Sequence, residues 1–114
     1  MPSIETPLEK QFHEAMLGIY EAAKRLKPPY PANRFLRMVH EHGGKETADR
    51  LLATDNPSEG FTELFLRGKE NLTISVEYVV LQSPWRQLFS EDQLEVARQR
   101  LRDVKCDQPP EDAA

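Results

Sequence analysis

The sequence predicts an all-α protein, a single compact domain of about six helices joined by short loops. Three observations predict it: helix-capping signatures recur along the chain, apolar residues repeat at three- and four-residue spacing, and only one segment has strand-like content. The bulk numbers agree. The chain has 114 residues, 39% hydrophobic and 30% charged, which suits one folded domain with its own core.

Each element follows from local chemistry. Thr6-Pro7-Leu8-Glu9 reads as a capping box with proline in the first turn, where its missing amide costs nothing. Behind it, Leu8, Phe12, Met16, Ile19, Ala23 and Leu26 form one apolar stripe, and Pro28-Pro29 ends the helix. A second helix is expected from about Pro31 to His42, with Phe35, Met38 and Val39 on one face. Gly43-Gly44 closes it, because a β-branched or bulky residue resists the positive φ that such a corner needs. A third helix, from about Lys45 to Ala53, gathers Ala48, Leu51 and Leu52. Asn56-Pro57-Ser58-Glu59 repeats the cap, proline and glutamate pattern and opens a fourth helix, which turns Phe61, Leu64 and Phe65 inward and stops before Gly68.

The segment from Leu72 to Leu81 is the ambiguous one. Its β-branched residues favour a strand, yet no second strand-like segment exists to pair with it, and an isolated strand leaves its amides unpaired. Val76, Val79 and Val80 also fit a helical face, with Thr73 or Ser75 as cap, and we read a short helix. Ser83-Pro84 starts a brief turn carrying Trp85. Ser90-Glu91-Asp92-Gln93 is a second capping box, ahead of the stripe Leu94, Ala97, Leu101 and Val104. The helical domain is expected over residues 1–106. Residues 107–114, acidic and proline-containing, are expected to be a disordered tail.

Composition also narrows function. A net charge of −4 opposes non-specific binding to a polyanion, although a local basic face can survive it. Apolar runs are too short to span a membrane, and the first residues carry neither a basic nor an apolar signal region. Cys106 is the lone cysteine, so no internal disulfide forms and a cytoplasmic location is the simplest expectation.

The stretch Met38 to Leu52, MVHEHGGKETADRLL, most resembles a site. In a helix, however, His40 and His42 project about 200° apart, since each residue turns roughly 100°. The glutamate between them does not supply the zincin spacing, so no metal site is expected. Gly44-Lys45 looks like the end of a P-loop, but Glu46 stands where serine or threonine must follow, and Val39 replaces the leading glycine. What survives is a weak anion site, made by amides at the start of the third helix with Lys45 assisting. Helix capping by the glycines is the simpler explanation.

Other candidates are basic or aromatic. Arg34 and Arg37 share a face of the second helix, while Arg98 and Arg102 share a flank of the last one, near Glu91 and Glu95 for local pairing. Trp85 either meets a partner or plugs the gap between the fifth and last helices. Tyr30, between prolines, is similarly placed for a partner. The carboxylates cluster in first helical turns, where they stabilise helices, and no nucleophile has a base in a motif context. Neither an enzyme nor a cofactor is expected. The candidate binding residues are therefore Arg34, Arg37, Lys45, Trp85, Arg98 and Arg102.

Several motifs, in order, also resemble one family. Phe35 to Leu52 fits an F-L-x-M-x-x-x-x-G-G-x-x-T-A-x-x-L-L core. Gly60 to Leu64, Leu72-Thr73 and Leu88 to Leu101 then follow as further matching segments. This resembles a family of small uncharacterised bacterial all-α proteins and domains, found alone or associated with predicted restriction-type nucleases. The resemblance implies an accessory role near defence or restriction machinery and supplies no catalytic residues. The leading expectation is a non-enzymatic interaction module that docks on a protein partner. A homo-oligomer and a nucleic-acid-binding accessory with a local basic face stay open as alternatives.

Overall fold

A computed structural model describes residues 6–109, and every described element is helical. The elements in order are α1 (Pro7–Lys24), α2 (Asn33–His42), α3 (Gly44–Leu52), α4 (Glu59–Leu66), α5 (Val76–Val80) and α6 (Glu91–Asp103). Two 3₁₀ turns, Lys69–Ile74 and Trp85–Leu88, flank α5. The all-α expectation stands. Of the expected tail, Asp107 to Pro109 carry no helix, and residues 110–114 lie outside the described residues.

Local chemistry sets the starts. Thr6 Oγ1 accepts from the Glu9 amide at 3.1 Å, and Glu9 returns the bond to the Thr6 amide at 3.0 Å. Ser90 and Gln93 repeat this box at the head of α6. The fourth helix departs from expectation: it is Ser58, not Asn56, that caps α4, by accepting from the Phe61 amide at 3.2 Å. Proline at 57 fits an extended residue ahead of the cap rather than the helix itself. In the ambiguous segment, Ser75 caps α5 by accepting from the Tyr78 amide at 3.2 Å, and its hydroxyl donates to the Leu72 carbonyl at 2.7 Å. That double use of one hydroxyl joins the 3₁₀ turn to α5 and resolves the segment as helix.

The stripes meet in one core. Phe12, Met16, Ile19 and Ala23 of α1 are buried, and so are Leu94, Ala97 and Leu101 of α6. Phe12 packs its ring against Phe89 in an edge-on arrangement, with centroids 5.4 Å apart. Trp85 lies 5.7 Å from the same ring and is half-buried against the core. Phe65, expected inward, is more than a third exposed, whereas Phe61 and Leu64 form the buried face of α4.

The Gly43-Gly44 corner sets the distance between α1 and α3. Gly43 has φ +84°, a backbone that favours glycine. Gly44 is buried because α1 runs against it: a Cβ there would stand 2.7 Å from the His13 Cα and 3.2 Å from Met16 Cγ. The Gly44 amide donates to His13 Nδ1 at 3.0 Å, an arrangement open only to an imidazole with no proton on that nitrogen. Gly44→Ala is therefore expected to destabilise the fold by about 2 kcal/mol or more, because backbone must move. Gly18→Ala, in the same pair of packed helices but with open space around it, is expected to be neutral or stabilising by up to about 1 kcal/mol. Denaturant unfolding of the two variants checks both. Equal effects would contradict the close approach.

Candidate functional site

Three segments position a cleft. The chain leaves α1 through Lys27 to Pro31, and the Tyr30 amide donates back to the Ala23 carbonyl at 3.0 Å. Arg67, at the end of α4, then pins this loop: its Nε donates to the Pro28 carbonyl at 2.6 Å and its Nη2 to the Pro29 carbonyl at 3.2 Å. Glu63 holds Arg67 in place at 2.6 Å, and the guanidinium lies 5.2 Å from the Tyr30 ring centre. Between this loop, α2, α4 and α5 opens a cleft of about 230 Å³.

Its walls are apolar: Ile19 from α1, Phe35 and Met38 from α2, Phe61 and Leu64 from α4, and Val76 from α5. Tyr30, Arg34 and Glu59 also line it, and Arg34 and Glu59 are exposed, which places them at the mouth. Burial pushes the Tyr30 phenol upward from its ordinary range, and the charges of Glu59 and Glu63 add to the shift against Arg67 and Arg34. The phenol therefore keeps its proton and is a hydrogen-bond donor at neutral pH.

At the inner end of the cleft lies a buried ion pair. Glu77 is 2% exposed and Arg100 5%, with Arg100 Nη1 at 2.9 Å from Glu77 Oε2. The same guanidinium donates to the Leu51 carbonyl at 3.0 Å, the Thr54 carbonyl at 2.6 Å and Thr54 Oγ1 at 3.1 Å. One side chain from α6 thus grips α5 and the carbonyls at the end of α3, where a cation is favoured by the helix dipole. Burial pushes the Glu77 carboxyl upward from the ordinary carboxylate range, and the hydrogen bond and charge of Arg100 offset part of that.

The sequence candidates have different fates. Arg34 lies on the cleft, and Arg37, one turn further along α2, is exposed; neither makes an ion pair among the described residues. Lys45 is engaged. It pairs with Asp49 at 2.8 Å, and its ammonium sits 5.0 Å from the Phe89 ring centre. At the corner suggested as an anion site, the Gly44 amide is given to His13 and the Lys45 ammonium to Asp49. Arg98 bonds Glu91 and Glu95, and Arg102 bonds Glu95 and Gln99, the local pairing that helical spacing suggests. Trp85 is half-buried. His40 is exposed, and His42 Nδ1 stands 3.6 Å from Glu46 Oε2 across the glycine corner. Among the described residues no group of histidines, cysteines and carboxylates has metal-binding geometry. Cys106 packs against the core, and burial pushes its thiol upward, away from the reactive thiolate. No described helix is long and apolar enough to cross a membrane.

Sequence reasoning missed the cleft and the buried pair. A signal for the pair was present. Glu77 interrupts the apolar run around Val76 and Val80, and Arg100 falls three residues after Ala97, on the buried stripe. Comparison of the chain with models of protein families, with curated proteins and with solved structures yields no match.

The raised carboxyl gives a pH test. A group with a raised folded-state pKa takes up its proton more readily in the folded protein than in the unfolded chain. Its stabilisation is thus full below the ordinary carboxylate range and is lost as pH rises through the raised value. The melting midpoint of the wild type minus that of Glu77→Gln is expected to fall as pH rises from about 4 to about 8. A difference that grows with pH would show that Arg100 overcomes burial.

Proposed function

We propose that this protein is a non-enzymatic helical interaction module whose cleft receives an apolar side chain of a protein partner. One observation carries the reading: an apolar cleft with exposed charged groups and a phenol donor at its mouth. Interfaces draw most of their affinity from a few anchors seated in desolvated pockets within a polar rim, and this cleft has that composition. Nothing in it resembles a reacting constellation, since its one buried carboxylate is held by Arg100. A cytoplasmic setting and, through the resemblance, a bacterial defence or restriction context belong to the same proposal.

Nucleic-acid binding is the second reading, supported by the exposed Arg34 and Arg37 on one helix. It is the weaker one. Lys45, Arg98 and Arg102 are paired with carboxylates of the chain itself, and the net charge is negative.

Gly60 offers a clean test. A Cβ there would lie 3.7 Å from Ser58 Oγ and 4.0 Å from the Tyr30 ring, ordinary contact distances, so a side chain added at Gly60 starts on the cleft wall without a clash at its Cβ. Gly60→Leu is expected to fold with an unchanged or higher melting midpoint, since glycine within a helix is destabilising by up to about 1 kcal/mol. Partner proteins captured from the native host by the wild type are expected to be lost with this variant. Identical capture by both proteins would overturn the reading. So would salt-sensitive DNA or RNA binding that disappears in Arg34→Glu/Arg37→Glu.

A further inference from the structure

We infer that the occupant of the cleft is an aromatic side chain of a linear peptide segment, with an acidic residue beside it that pairs with Arg34. The inference rests on the docking reading above and specifies its ligand. Size comes first. The cleft holds about 230 Å³, whereas small-molecule sites run to roughly 300–1,000 Å³, so one large side chain fills it better than a cofactor-sized ligand.

Chemistry of the wall comes second. Phe35 and Phe61 supply aromatic faces and edges, Met38 a polarizable sulfur, and Tyr30 a further ring with a protonated hydroxyl. An aromatic guest gains offset or edge contacts with the rings and a sulfur–aromatic contact, beyond the burial that an aliphatic guest would gain. The Tyr30 hydroxyl then has a peptide carbonyl within its reach at the mouth.

Charge decides the flanking residue. Arg34 lies on the α2 side of the mouth, exposed and without an ion pair among the described residues, and Arg37 follows it on the same helix flank. The remaining rim charge, Glu59, comes from the first turn of α4 on the other wall, where an acid already serves the helix dipole. A carboxylate of the peptide is therefore matched to the α2 side. A guanidinium favours a carboxylate through paired N–H donors, and a lysine in the peptide would meet repulsion there.

The test uses the full chain and a displayed library of random linear peptides. Wild type is expected to enrich peptides with Phe, Trp or Tyr that carry Asp or Glu within about three residues. The best peptide is expected to bind Arg34→Glu about tenfold more weakly, and to regain affinity for that variant when its acid is changed to lysine. Gly60→Leu is expected to abolish its binding while circular dichroism and melting show a folded protein. Three results would each overturn the inference: selection without an aromatic, aromatic peptides indifferent to Gly60→Leu, or an acid preference unchanged in Arg34→Glu. Host proteins released by Gly60→Leu alongside such a failure would leave the docking reading standing and remove only this ligand.

Discussion

The arrangement depends on one buried contact, the Arg100 guanidinium between Glu77 and the end of α3. Each side chain compensates for the burial of the other, so removing one leaves its partner's polar or charged group unmatched in a low-dielectric interior. The desolvation that burdens the pair is offset in part by its remaining bonds, because Arg100 also donates to the main-chain carbonyls of Leu51, in the last turn of α3, and of Thr54, just past it. Four bonds from one side chain thus connect α6 with α3 and α5, elements too short to hold their orientation by their own helical hydrogen bonds. α5 spans only Val76–Val80, so its place is set by packing and by Glu77.

This contact also explains the cleft. Val76 and Glu77 form its inner end, while Leu51, adjacent to the carbonyls that Arg100 grips, lines its side. On the far side, Arg67 fixes the proline loop against α4 and thereby holds Tyr30 at the mouth. The cleft is open because both of its ends are braced by arginines whose hydrogen bonds are made within the chain. The glycine corner contributes the third brace, since it lets α3 approach α1 until backbone meets backbone.

What the sequence reveals follows the range of the interaction. The capping boxes at Thr6 and Ser90, the apolar stripes of α1 and α6 and the glycine corner are legible because each is decided within one or two helical turns. The same holds for Arg98 and Arg102, whose acids lie on the same helix face. Ser58 displaced Asn56 as cap because two capping residues compete around Pro57, and only helix geometry selects between them. The Glu77–Arg100 pair spans 23 residues and the cleft draws on five helices, so periodicity can place Arg100 on a buried stripe but cannot name its partner or assemble the cleft. In the stretch Met38 to Leu52 the glycines let α3 pack against α1 and Lys45 pairs with Asp49, His40 is exposed, and Met38 and Leu51 line the cleft.

A double-mutant cycle on Glu77 and Arg100 tests this account most directly. Wild type, Glu77→Gln, Arg100→Met and the double variant are compared by denaturant unfolding at neutral pH, and the non-additive energy is read from the four midpoints and slopes. The account predicts that the double variant loses less than the sum of the singles, by about 2 kcal/mol, because each single change strands the other partner. Additive losses would contradict it, since they would mean that the two side chains support the fold independently.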